Sequence, residues 1–142
     1  MKAFLDTSSL IKLYHQEEGS AFVIETLSSS IEEIYLSEIS ALEFRSALWK
    51  KIREKEIQEK AAIEVIKCFH NDSDNFRWIL LQSDIVESAG HMLMKYGDKG
   101  LRTLDSIQLA SALTLKKSGD CVFLSADKLL LSLFEKEKLP IL

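Results

Sequence analysis

At 142 residues and 46% hydrophobic side chains, the chain is long enough to bury one substantial core and reads most simply as a single domain over residues 1–142. A formal net charge of −4 argues against a duplex binder held by a broad basic face. No apolar run nears the ~20 residues of a membrane span, and MKAFLD meets an acid too early for a signal peptide, so a cytoplasmic protein without a membrane partner is expected.

Lys2–Leu5 reads as a short buried strand ending at Asp6. Ser8–His15 follows as a helix that Asp6, Thr7 or Ser8 could cap, and Gly19 separates it from a second helix over Ser20–Leu27. Glu33–Leu36 is a brief strand, after which Ser37 can cap a long helix whose apolar stripe is Ala41, Phe44, Leu48 and Ile52. Glu43 falls well inside that helix, near Ile39 and Ala47 and off its charged side. The basic run Lys50, Lys51, Arg53 and Lys55 alternates with Glu54 and Glu56. It is either a solvated helix end or a contact for phosphates.

Around Glu54–Gln58 the pattern loses definition, which suggests a helix–turn–helix, with one continuous helix as the alternative. The second arm carries Ala61, Ile63, Val65, Ile66 and Phe69. Asn71–Asn75 is a polar loop, Phe76–Leu81 is β-rich, and Ser83 opens a helix to about Tyr96. The loop Gly97–Gly100 leads to a helix over Thr103–Lys117 that is apolar almost all round and therefore expected to be buried. Gly119 ends it. Cys121–Leu124 is a strand, Lys128–Glu135 a helix and Pro140–Leu142 a possible edge strand.

Strands alternating with helices indicate an α/β fold, with a parallel central sheet flanked by helices. Such folds bind ligands at the carboxyl ends of their strands. Asp6 and Asp127 both follow a strand directly, and Asp105 lies in the first turn of a helix. Together with Glu43, these acids interrupt apolar stretches: AFLDTSSLIKLY, ISALEFRSALW, LRTLDSIQLASAL and VFLSADKLLLSLF. Each Asp has a simple alternative role as a helix cap. Four ionised carboxylates brought together would repel one another, and a divalent metal with hard oxygen ligands, Mg²⁺ or Mn²⁺, removes that penalty. Ser8 could hold a metal-bound water or orient the Asp6 carboxylate.

Other chemistries are poorly supported. Cys68 and Cys121 are far apart in apolar surroundings and read as buried free thiols. His15, His70 and His91 show no metal-ligand spacing. A haloacid-dehalogenase-type phosphatase would want a second Asp two residues after Asp6, where Ser8 stands. A phosphoacceptor receiver would want an acidic pair after the first strand and a Lys ending a late one, and the chain has neither.

DTSSLIKLY, ALEFRSAL, LRTLDSIQLASAL and FLSAD follow one another as in PIN-domain ribonucleases. The chain most resembles the VapC-type toxins of prokaryotic toxin–antitoxin pairs. The resemblance implies that Asp6, Glu43, Asp105 and Asp127 are catalytic metal ligands for Mg²⁺ or Mn²⁺, with Ser8 and Ser125 as polar neighbours of the first and last. It implies metal-assisted hydrolysis of RNA, leaving a 5′-phosphate and a 3′-hydroxyl, with a cognate antitoxin as partner. Arg45 and Arg102, near two of the acids, are candidate substrate contacts. High apolar content and the habit of the family point to a homodimer. Where such families often carry a Gly-containing turn, this chain has REKEIQEK. The competing readings are a PIN-like nuclease acting on DNA or structured nucleic acid, and a non-catalytic binding module of the same fold.

Overall fold

A computed structural model describes residues 1–142. Four strands, β1 (Lys2–Leu5), β2 (Glu33–Ser37), β3 (Arg77–Ile79) and β4 (Cys121–Leu124), form one sheet in the order β3-β2-β1-β4. All three pairings are parallel, with Phe4 opposite Tyr35 on one side and Phe123 on the other. Seven helices flank the sheet: α1 (Thr7–Tyr14), α2 (Ser20–Ser30), α3 (Ser40–Arg53), α4 (Glu59–Asp72), α5 (Ser83–Tyr96), α6 (Thr103–Leu113) and α7 (Lys128–Lys136). The expected α/β class with a parallel, helix-flanked sheet is what the chain adopts.

Alternation along the strands sorts the core into two layers, because successive strand side chains point to opposite faces. Ala3, Leu5, Val122 and Leu124 face one layer, where Leu10, Ile11, Val23, Phe44, Leu48 and Phe69 of α1–α4 cover them. Phe4, Cys121 and Phe123 face the other, against Tyr96, Leu109, Leu130, Leu133 and Phe134 of α5–α7. In the first layer Phe44 and Phe69 stack with ring centroids 4.2 Å apart, and Tyr14 meets both edge-on. That cluster ties α1, α3 and α4 together.

The strand order fixes where a ligand can approach. From β1 the chain runs outward through β2 and β3, then returns to place β4 on the other side of β1. The crevice between the carboxyl ends of β1 and β4 is the switch point at which open α/β sheets bind ligands. Asp6 and Ser125–Asp127 lie there.

Several boundaries depart from the sequence expectation. The helix expected from a Ser37 cap begins at Ser40; Ser37 instead ends β2 and accepts a 3.4 Å bond from the Ile39 amide. Glu43 therefore lies in the first turn of α3 and not deep within it. The helix expected over Thr103–Lys117 ends at Leu113 and is not apolar all round, since it buries Ser106, Gln108 and Ser111 and leaves Leu104 47% exposed. All of the expected loop Asn71–Asn75 is helical, the end of α4 followed by a 3-10 turn. Cys68 is exposed on α4, while Cys121 is buried as expected. The turn between α3 and α4 is real, and Pro140–Leu142 contributes one bridge, Ile141 to Phe123.

Candidate functional site

Asp6 has two structural duties. It ends β1 and caps α1, accepting a 3.0 Å bond from the Ser9 amide at Oδ1. The Ser8 hydroxyl lies 2.8 Å from either carboxylate oxygen, and the Ser125 hydroxyl donates to Oδ2 at 2.6 Å. Ser8 and Ser125 each also accept a backbone amide, from Ala126 and Asp127 respectively, so the segments following β1 and β4 are laced together around this one carboxylate. Asp6 is only 4% exposed. Burial raises its pKa from 3.8 to about 6 despite the three donors, and the Asp127 charge adds to the rise.

Asp127 caps α7 through a 2.8 Å bond from the Leu130 amide to Oδ1, which leaves Oδ2 free. Asp105 differs from both, lying inside the first turn of α6 with no capping bond. Its pKa is also raised, by burial first and then by the charges of Asp127 and Glu43, with Arg102 opposing the rise. These effects link the four acids in a chain, Asp6 with Asp127, Asp127 with Asp105, and Asp105 with Glu43. No ion pair in the molecule includes any of them.

Glu43 is half-buried and held at one oxygen. Its Oε1 accepts from the Thr7 hydroxyl at 3.0 Å and from Gln108 Nε2 at 2.8 Å. The same amide nitrogen lies 2.9 Å from Ser40 Oγ and 3.1 Å from Thr7 Oγ1, and the two hydroxyls are 2.9 Å apart. Thr7, Ser40 and Gln108 come from α1, α3 and α6 and are 8%, 0% and 2% exposed. The sequence reading missed all three. Their signal was present only as uncharged polar residues inside stretches that otherwise read as core.

The candidate substrate contacts separate. Arg102 is exposed at the start of α6 and its charge reaches Asp105. Arg45 turns back to donate to the Ala41 carbonyl of its own helix. In the basic run, Lys51 is paired with Glu17 at 2.9 Å and Glu56 at 3.3 Å, and Lys12 holds the other oxygen of Glu17 at 3.1 Å. These groups line a cleft of about 310 Å³ that opens beside Ser8. Of its three lysines, Lys12 and Lys51 are matched by its own carboxylates and Lys50 is in no ion pair.

No three acids converge closely enough to form a ready-made cation cage. The donor set nevertheless fits a hard divalent ion. It consists of oxygen donors only, carries mutually repelling charge that no Lys or Arg neutralises by contact, and includes free oxygens on Asp105 and Asp127. Mg²⁺ commonly keeps several waters and takes only one or two carboxylates, so a loosely spaced set suits it.

A model of the PIN-domain family matches residues 3–133. Among solved structures, the chain resembles VapC20 of Mycobacterium tuberculosis, described as a sarcin-ricin loop cleaving toxin, with 16% identity over 92% of this chain and 94% of that one and a TM-score of 0.70. It also resembles a chain of FitAcB from Neisseria gonorrhoeae (16% identity, 98% and 95% covered, TM-score 0.70). A third likeness is to VapBC-1 of nontypeable Haemophilus influenzae (15% identity, 100% and 97% covered, TM-score 0.66). At these identities the likeness concerns the fold. No curated protein matches the sequence.

Proposed function

From the premise that the chain belongs to the PIN-domain family, we propose that residues 1–142 form a Mg²⁺- or Mn²⁺-dependent endoribonuclease that serves as the toxin of a toxin–antitoxin pair. The observation that carries the reading is the state of the four acids: one deeply buried, each within reach of another's charge, and none paired with a cation. The likeness to a sarcin-ricin loop cleaving toxin supports RNA as the substrate.

Asp6, Glu43, Asp105 and Asp127 would hold the ion. When bound, it would lower the pKa of an attacking water and offset charge on the phosphate oxygens. The protein groups supply placement. Ser8 and Ser125 fix both oxygens of Asp6, so its direction is set before substrate arrives. Asp127 keeps one oxygen on the α7 amide and offers the other. Arg102, exposed beside Asp105, is placed to draw the phosphate toward a site that would otherwise repel it, and Arg45 would join only by leaving the Ala41 carbonyl. Water attacks phosphorus, the bond to the 3′ oxygen breaks, and that oxygen takes a proton, giving 5′-phosphate and 3′-hydroxyl ends.

Cleavage of single-stranded RNA, tRNA and DNA by the purified chain tests the reading. RNA should be cut with Mn²⁺ or Mg²⁺, cutting should stop with chelator, and Asp105→Asn should abolish it. Cleavage of DNA alone would move the substrate to DNA, and no cleavage of any would favour a non-catalytic module. A cognate antitoxin should place a cation such as Arg among the acids, since opposite charge is the simplest plug for this site. A homodimer should appear by light scattering.

A further inference from the structure

We infer that Gln108 is a positioning residue for Glu43, holding that carboxylate toward Asp105 so that the two can share one cation; the inference rests on the metal site proposed above. The hydrogen bonds around Glu43 Oε1 form a closed set. Gln108 Nε2 has two protons and three acceptors in reach, and the two shortest contacts, Glu43 Oε1 at 2.8 Å and Ser40 Oγ at 2.9 Å, take them ahead of Thr7 Oγ1 at 3.1 Å. Ser40 then donates to Thr7 Oγ1, and Thr7 donates to Glu43 Oε1. The ring closes on the carboxylate and leaves its second oxygen outside the ring.

The orientation of the amide carries a cost that the ring explains. Gln108 Oε1 is buried and has no hydrogen-bond partner, the only such side-chain atom in the protein. A buried, unpaired acceptor is unfavourable and calls for a reason. Turning the amide over would set its carbonyl oxygen against the Glu43 carboxylate, which accepts only. The chain therefore keeps the donor on Glu43 and leaves Oε1 unpaired.

Position on α6 gives the bond its consequence. Gln108 is three residues after Asp105, on the same helix face. Its bond to Glu43 therefore ties the Asp105 turn to the first turn of α3 across a pair of like charges. Without that tie, repulsion drives Glu43 away from Asp105 whenever no cation stands between them.

Mn²⁺ affinity measured by calorimetry, with melting temperature, tests this on the full chain. Gln108→Met keeps length and removes both donors. It should weaken Mn²⁺ binding roughly 10–100-fold, the usual effect of losing a group that orients a ligand. Glu43→Gln should weaken it by a similar factor, and the double variant should bind no more weakly than Glu43→Gln alone, because the two act as a unit. Thr7→Val, which removes the other donor while keeping side-chain shape, should act in the same direction and serves if Gln108→Met does not fold. Losses that multiply, or a lower melting temperature with affinity intact, would overturn the inference alone. Failure of the unaltered chain to bind Mn²⁺ would overturn the proposed metal site and this inference with it.

Discussion

Asp6 is held ionised by three donors and pushed toward neutrality by burial, and burial wins. Its pKa in the folded chain, about 6, lies above the ordinary 3.8. The proton it binds is therefore a stabilising contribution, fully present below about pH 3.8 and lost as pH rises through about 6. The metal-free protein should gain up to about 3 kcal/mol from this group between pH 7 and pH 4, and Asp105, shifted the same way, should add to the gain. Urea unfolding in chelator at several pH values, compared with Asp6→Asn, measures it; a variant with the same pH slope as the unaltered chain would refute it. Asp105→Asn belongs to the same scale. Asp105 caps nothing and faces two like charges, so the substitution should leave the metal-free protein at least as stable near pH 7. A loss of more than about 1 kcal/mol, the usual worth of a cap, would mean it has a structural duty. The acids were legible because charge inside an apolar stretch is conspicuous. Thr7, Ser40 and Gln108 were not, since a hydroxyl or amide is common on either side of a helix and only its neighbours decide what it bonds.

At the scale of elements, the α3–α4 turn explains how REKEIQEK dispenses with glycine. Glu56 N donates to Lys51 O and Lys55 N to Ile52 O, the paired bonds of a Schellman motif, with Lys55 in the left-handed region at φ 61°. The same pair of bonds closes α7, where Lys138 has φ 63° and Leu139 N donates to Phe134 O. A side chain at such a position is strained where glycine is not. Lys55→Gly should thus stabilise the protein by about 0.5–1 kcal/mol, the strain relieved exceeding the added freedom of the unfolded chain. Equilibrium unfolding checks this, and a destabilised variant would show that the aliphatic part of Lys55 contributes packing. Element interiors were readable from periodicity, and β1, α5 and β4 fall where expected. Ends were harder to read because they depend on bonds like these, and the early stop of α6 left no mark in its composition.

For the whole molecule, the test is linkage between metal and folding. Mn²⁺ at about 100 times its Kd should stabilise the chain by about 2.7 kcal/mol, a rise of roughly 5–10 °C in Tm for a domain of this size. Chelator should reverse the shift and Asp105→Asn should remove most of it. Equal shifts in both proteins would exclude Asp105 as a ligand. In a bacterial host, expression of the chain should slow growth, and Asp6→Ala or Asp105→Ala should relieve this at unchanged protein level. Equal toxicity of the variants would separate growth arrest from these carboxylates.

By itself the sequence determined the α/β class, the places of β1, α5 and β4, and the four acids worth watching. Those are local properties, set by period and by charge in an apolar setting. Only the tertiary structure decided that β4 returns beside β1, and so which strand ends share a crevice. It alone placed Gln108 of α6 against Glu43 of α3, residues 65 apart in the chain. Strand order and helix packing depend on contacts between distant segments, and no local pattern encodes which of the sterically allowed partners a buried amide will find.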